Sequence, residues 1–182
     1  MYFYGKVVRL GGIKVMKMIK ILFYSLLILL ILNGCSSNEV KETEDLFQFK
    51  NSYVGDAGAV GNITMKLPKP NGEKISGLEL ETTEEPYGII VNYSSTEENE
   101  PIEVNYNELA LFNATFILSL VQNADWVKFN FVEQELKISR EELQNYYGKD
   151  MREFNNEEEL SKFIQENLAD EKRVTQFYNE RT

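Results

Sequence analysis

From Leu46 onward the chain changes period every few residues, and each change marks an element. Leu46, Phe47 and Phe49 open the patterned part; Leu46 to Val54 fits a strand or a short helix, with strand preferred. Gly55-Asp56 interrupts it, and Asp56 is suited to cap a helix over Ala57 to Leu67 by accepting from free backbone N–H groups. Val60, Ile63 and Leu67 share one face of that helix, and Pro68 stops it. Gly58 and Gly61 share another face, which suggests close packing against a neighbouring helix. Ile75 to Thr82 and Tyr87 to Tyr93 alternate at period two: Leu78 and Leu80 against Glu79 and Glu81, then Ile89, Val91 and Tyr93. They read as a strand pair joined by Thr83 to Pro86, with an exposed acidic loop, Ser94 to Pro101, after it.

Asn105, with Glu108 three residues on, resembles a capping box ahead of a helix running to Val121. Leu109, Phe112, Phe116 and Leu120 make its main stripe, but the helix is apolar nearly all round, so it is expected to be central and buried. Asn113 falls inside that stripe and is expected to hydrogen-bond a neighbouring strand or loop. Trp126 to Val132 alternates again and turns into Leu136 to Ile138, a second hairpin. Ser139 with Glu142 starts a short helix packed through Leu143, Tyr146 and Tyr147 and ended by Gly148. Asn156 with Glu159 starts another, with Leu160, Phe163, Ile164 and Leu168 on one side; Val174, Phe177 and Tyr178 continue or restart it after Asp170. The expected fold is α+β, with two antiparallel β-hairpins around a central buried helix and flanking helices, in a single domain over residues 46–182.

The N-terminal part has a different pattern. Lys14, Lys17 and Lys20 precede an apolar stretch of 12 residues, Ile21 to Leu32, which ends in Leu32-Asn33-Gly34-Cys35. A basic region, an apolar core of about 7–15 residues and a small residue at the cleavage point define a signal peptide. A membrane span needs about 20 apolar residues, so the stretch is short for one. An aliphatic residue three before a cysteine and a small one directly before it are the lipobox pattern, which Leu32 and Gly34 satisfy around Asn33. Residues 1–34 are therefore expected to be a lipoprotein signal peptide and Cys35 the lipidated residue. Two acyl chains anchor stably at about 0.8 kcal/mol per buried CH₂. Met16 or Met18 would make a more ordinary start, and residues 1–15 are left out of the fold reading. Residues 35–45, the cysteine and the polar Ser36 to Asp45, read as a flexible tether.

Composition narrows the chemistry. Residues 1–34 hold five of the 19 Lys and Arg and none of the 29 Asp and Glu, which leaves 14 basic against 29 acidic residues, net −15, in the mature chain. Such a surface repels nucleic acid and anionic lipid headgroups, and no nucleic-acid partner is expected. There is no histidine, and Cys35 is the single cysteine. That removes Cys/His metal sites, Ser-His-Asp and Cys-His catalysis and the usual pH switch. Gly55, Gly58 and Gly61 lack the Lys-Ser/Thr of a phosphate-binding loop. Glu84-Glu85 and Glu97-Glu98 fall on turns, where carboxylates are ordinarily solvated. Neither metal nor cofactor is expected.

Three segments carry a family resemblance: FKNSYVGDAGAVGNITMKLP (Phe49 to Pro68), GLELETTEEPYGIIVNY (Gly77 to Tyr93) and LALFNATFILSLVQNADWVKFNFV (Leu109 to Val132). With Ser139 to Asp150 they resemble the bacterial family catalogued as domain of unknown function 4825, over residues 46–150. The most specific pieces are Tyr53-Val54-Gly55-Asp56 and the turn Glu84 to Gly88. Members look like small lipoproteins of low-GC Gram-positive bacteria or extracytoplasmic tails of membrane sensor peptidases. The resemblance implies export and a sensing or binding role, and no activity.

The expectation is a membrane-anchored extracytoplasmic lipoprotein that is not an enzyme and binds or senses an envelope protein. A carboxylate-dependent envelope hydrolase and a purely structural envelope protein are the alternatives. Tyr87, Tyr93, Tyr106, Tyr146 and Tyr147 are the expected contact surface, since tyrosine is enriched at interfaces. For any one of them, edging the core is the simpler role.

Overall fold

The architecture follows from a helix with no polar side. A computed structural model describes residues 45–96 and 105–180, so residues 1–34, Cys35 and the tether up to residue 44 lie outside the described residues. In α2 (Tyr106–Leu120) every residue from Asn113 to Leu120 is buried. It is covered on one side by β3 (Trp126–Asn130) and β4 (Glu135–Ser139). On its other sides lie α1 (Ala57–Lys66), α4 (Glu157–Leu168), α5 (Glu171–Asn179) and two 3₁₀ turns, Leu46–Phe49 and Met151–Glu153. Among the described residues no helix is long and apolar enough to cross a membrane.

Both hairpins are present, and the fold is α+β. β1 (Glu73–Glu81) pairs antiparallel with β2 (Gly88–Ser95), and β3 pairs antiparallel with β4. The period-two pattern did not show that β2 and β3 also pair, in parallel, with Gly88 opposite Trp126 and Asn92 opposite Asn130. One four-stranded sheet in the order β1-β2-β3-β4 results, with α2 as the crossover that a parallel pair requires. Ile89 and Val91 line up with Val127 and Phe129, and all four are buried beneath α2. A bulge between Ile75 and Gly77 keeps β1 in phase. Ile75 and Leu78 are three apart, yet they oppose Tyr93 and Val91, which share a face. The extra residue absorbs the mismatch that would otherwise turn half the strand over.

Two expectations fail. Leu46–Phe49 is a 3₁₀ turn, and the strand reading survives only as an isolated parallel bridge between Ser52 and Val121. Asp45 caps the turn through Phe47 N (2.8 Å), and Glu157 Oε2 accepts from Leu46 N (2.5 Å). These side chains satisfy the donors that a strand would have offered a neighbour. Gly58 and Gly61 make no close helix contact: a Cβ on Gly61 would meet nothing within 4 Å, and one on Gly58 only Asp56 Oδ1.

The capping residues sit where the sequence puts them. Asp56, Asn105, Ser139 and Asn156 each accept from a backbone N–H three residues on, and the Ser139–Glu142 box is complete in both directions; Asp170, not read as a cap in the sequence, does the same for the last helix. Gly148, at φ 73°, ends α3 (Arg140–Tyr147) in the left-handed conformation that glycine adopts without strain. Asn113 Nδ2 donates to Pro68 O (2.9 Å), the loop contact expected of it, while its Oδ1 is buried without a partner.

Candidate functional site

Leu32, Asn33, Gly34 and Cys35 lie outside the described residues. The five tyrosines form three separate groups, each against the core. Tyr93 and Tyr106 both pack on Phe131, with ring centroids 4.9 and 4.8 Å away. Tyr106 Oη donates to Glu73 Oε1 at 2.5 Å, and Glu73 Oε2 accepts from Val132 N at 3.2 Å. Burial, with the Glu73 charge second, pushes the Tyr93 phenol up to about 12. Tyr106 rises as well, through burial and the hydrogen bond it gives to Glu73. Both stay neutral near neutral pH. Tyr87 stands alone at the head of β2, where its backbone N and O bond Asp125 Oδ2 and N, both at 2.8 Å.

Tyr146 and Tyr147 form the third group, edge to face at 4.7 Å. Tyr147 is 9% exposed and its hydroxyl meets Thr115 Oγ1 at 3.1 Å, so it belongs to the core. Tyr146 is half-buried and lines a cleft of about 450 Å³ between α3 and α5, with Glu142, Asn145, Arg173, Gln176, Phe177 and Glu180. This volume falls within the range of about 300–1,000 Å³ typical of small-ligand pockets. Phe177 meets Tyr146 edge-on at 5.1 Å. The Arg173 guanidinium lies 4.7 Å from the Tyr146 ring centroid, bonds Asn167 Oδ1 (2.7 Å) and donates to Tyr146 O. Tyr146 Oη donates to Asn167 O at 3.3 Å. Burial raises the Tyr146 phenol and the Arg173 charge partly offsets it.

The cleft offers an aromatic wall, two carboxylates, two amides and a guanidinium, which suits hydrogen bonding to a small polar ligand. Glu142 Oε2 already accepts from Ser139 N (2.6 Å) and Oγ (2.7 Å), and Glu180 accepts from Gln176 Nε2 (2.6 Å). Among the described residues no group of three or more acidic, His or Cys side chains could hold a metal ion. The carboxylates of Asp45, Asp56, Asp150 and Asp170 are engaged at helix starts.

Sequence reasoning did not single out Arg173. The cleft wall comes from two helices joined only by tertiary packing, and Tyr53, read in the sequence only as part of the family motif, is 57% exposed. Arg140 was missed too. Its guanidinium, whose pKa burial lowers to about 10, donates to the carbonyls of Leu118 (2.6 Å), Val121 (2.9 Å) and Ala124 (2.6 and 2.9 Å). The signal was faint: a basic residue after a strand, far in sequence from the helix whose end it closes.

The segments that carry the resemblance meet around residues 121–126. Val54 N donates to Asn123 Oδ1 (2.8 Å), Tyr87 N to Asp125 Oδ2, and Trp126 Nε1 to Pro86 O (3.0 Å). Comparison with curated proteins and with solved structures finds no match. The family model described as "Domain of unknown function (DUF4825)" matches residues 46–144, which hold α1, α2 and all four strands and leave α4, α5 and most of the cleft outside. With more than half of its length matched, the chain belongs to that family.

Proposed function

We propose that the protein is an exported lipoprotein, held on the outer side of the cell membrane by a diacylglyceryl group on Cys35, whose folded part binds or senses an envelope partner without catalysing a reaction. The observation that carries this reading is Leu32-Asn33-Gly34-Cys35 at the end of a 12-residue apolar stretch that follows a basic start. The polar segment Ser36 to Asp45 supports it, since it gives the domain a spacer from the anchor. The lack of histidine and of a second cysteine supports the non-catalytic part. So does the use of aspartates as helix caps, a role that leaves a carboxylate solvated. The partner is an envelope protein, and nucleic acid is excluded by the net −15 of the mature chain, the 14 basic and 29 acidic residues left after residues 1–34.

Crosslinking in intact cells followed by affinity capture of the full chain tests the binding role. One envelope protein recovered with the wild type, and lost with Cys35→Ser, is the expected result. Hydrolysis of a cell-wall or glycan substrate, abolished by changing one acidic residue, would replace this reading with the hydrolase.

A further inference from the structure

β1 is an edge of the sheet: the strand order puts β2 on one side of it and no strand on the other. Among the described residues its backbone bonds lie in the ladder with β2, with the exception of Glu73 N to Pro70 O at 3.2 Å. In an antiparallel ladder alternate residues turn their N–H and C=O away from the partner strand, so the outer edge of β1 carries a row of donors and acceptors that no described residue takes. The bulge between Ile75 and Gly77 disturbs the first half of that edge. From Leu78 to Glu81 the register is regular, opposite Val91 back to Gly88.

The side chains of this half divide by face. Leu78 and Leu80 oppose Val91 and Ile89 on the core side, and both are half-buried where the sheet ends. Glu79 and Glu81 alternate with them and are exposed, as are Glu84 and Glu85 in the turn that follows. Residues 78–87 hold these four glutamates and no Lys or Arg. The basic residues of the sheet are Lys74, ahead of the bulge, and Lys128 and Lys137 on β3 and β4. Lys128 pairs with Glu135 at 2.6 Å, and Lys137 Nζ lies 4.0 Å from a Trp126 ring centroid. α1 packs on β1 and ends at Lys66, whose Nζ lies 5.6 Å from the Phe49 ring centroid; Lys69 Nζ bonds Met65 O at 2.5 Å.

From these observations we infer that the Leu78–Glu81 edge of β1 takes up an extended segment of the envelope partner as a fifth strand, and that this segment alternates apolar with basic residues. This rests on the binding reading above and names the contact. Main-chain bonds along the edge supply affinity. Apolar side chains on one face of the added strand cover Leu78 and Leu80, and lysine or arginine on the other face lies beside Glu79 and Glu81. Opposite charges across a strand pair attract, and like charges repel. The same rule disfavours a second copy of the chain, since pairing centred on this half would set Glu79 against the copy's Glu79 or Glu81.

The test uses the lipidated full chain in neutral detergent micelles and three synthetic peptides: acetyl-KVKVKVK-amide, acetyl-EVEVEVE-amide, and the first peptide N-methylated at every amide. Hydrogen exchange followed by mass spectrometry reads protection of the backbone at residues 77–82, and titration reads affinity. The basic peptide should slow exchange there, and the acidic and the methylated peptides should not. Glu79→Gln with Glu81→Gln, which keeps the side-chain shape and removes two charges, should weaken the basic peptide about fivefold; Glu84→Gln with Glu85→Gln is the second variant should the first fail to fold. No slowing at 77–82, equal slowing by the acidic peptide, or slowing that survives methylation overturns the proposal. So does a dimer in sedimentation whose residues 77–82 are protected without peptide. Each of these strikes the β1 edge and leaves the anchor and the crosslinked partner standing, because neither depends on the peptides; absence of any crosslinked partner overturns the reading on which the edge rests.

Discussion

The guanidinium of Arg140 donates to the carbonyl oxygen of Leu118 at 2.6 Å, and so the first residue of α3 closes the last turn of α2. The last carbonyls of a helix have no partner within it, and a cation there also opposes the negative end of the helix dipole. Arg140 bonds Val121 and Ala124 as well, and its own backbone N–H donates to Asp125 O (2.7 Å). Arg140→Ala takes the side-chain donors from the carbonyls of Leu118 and Ala124, while Val121 O keeps the Ala124 N–H (3.3 Å), and should cost about 3 kcal/mol in urea melts. Arg140→Lys, with one point charge in place of a planar fork, should fall between. A loss below about 1 kcal/mol for the alanine variant would mean that water replaces the side chain at little cost.

Gly88 is required by Trp126. A Cβ at Gly88 would lie 2.0 Å from Trp126 Cε2, against the ring that bonds Pro86 O and carries Lys137 Nζ 4.0 Å from a ring centroid. Gly88→Ala should push the indole out and destabilise the fold by about 1–3 kcal/mol, as overpacking does. Trp126 is the single tryptophan, so its emission reports the displacement directly. Gly61→Ala is the control: nothing lies near its Cβ, and relief of the helical glycine penalty should make it neutral or more stable by up to about 1 kcal/mol.

Phe116 and Phe129 face each other's layers, from α2 and from β3, and are 2% and 1% exposed. Each alanine variant should lose about 3–5 kcal/mol in urea melts.

Stability below pH 4 should depend in part on Asp150. Its carboxylate receives the Arg152 guanidinium at 2.6 Å and the Arg152 backbone N–H at 2.9 Å, and the guanidinium bond first holds its pKa down at about 2, from 3.8. A carboxyl with a lowered folded pKa stabilises the fold above its unfolded value and loses that contribution as pH falls through the folded one. The pair is exposed, so the contribution is under about 1 kcal/mol. Asp150→Asn should flatten stability between pH 4 and pH 2 by that amount while leaving it near wild type at pH 2; an unchanged slope would show the pair to be inert.

Much of the fold was legible because local rules and burial agreed. Asp56, Asn105, Ser139 and Asn156 capped as their types and spacing require, and the all-round apolarity of 109–121 marked the helix that the rest covers. The parallel β2–β3 pairing was not legible, since strand alternation specifies a face and not a neighbour. The 3₁₀ turn at Leu46 escaped because Glu157, 111 residues away, supplies its acceptor. Of the candidate site, the tyrosines were legible as aromatic positions at the core edge. The cleft was not, since Tyr146 and Arg173 meet only once α3 and α5 are packed.

The anchor at Cys35 is the claim on which the functional reading stands, and mass spectrometry of the N-terminal peptide of protein purified from its native membrane tests it most directly. The account predicts a mature chain that begins at Cys35 with a diacylglyceryl group on its sulfur. A chain that retains Leu32-Asn33-Gly34, or begins at Cys35 with an unmodified thiol, would contradict it.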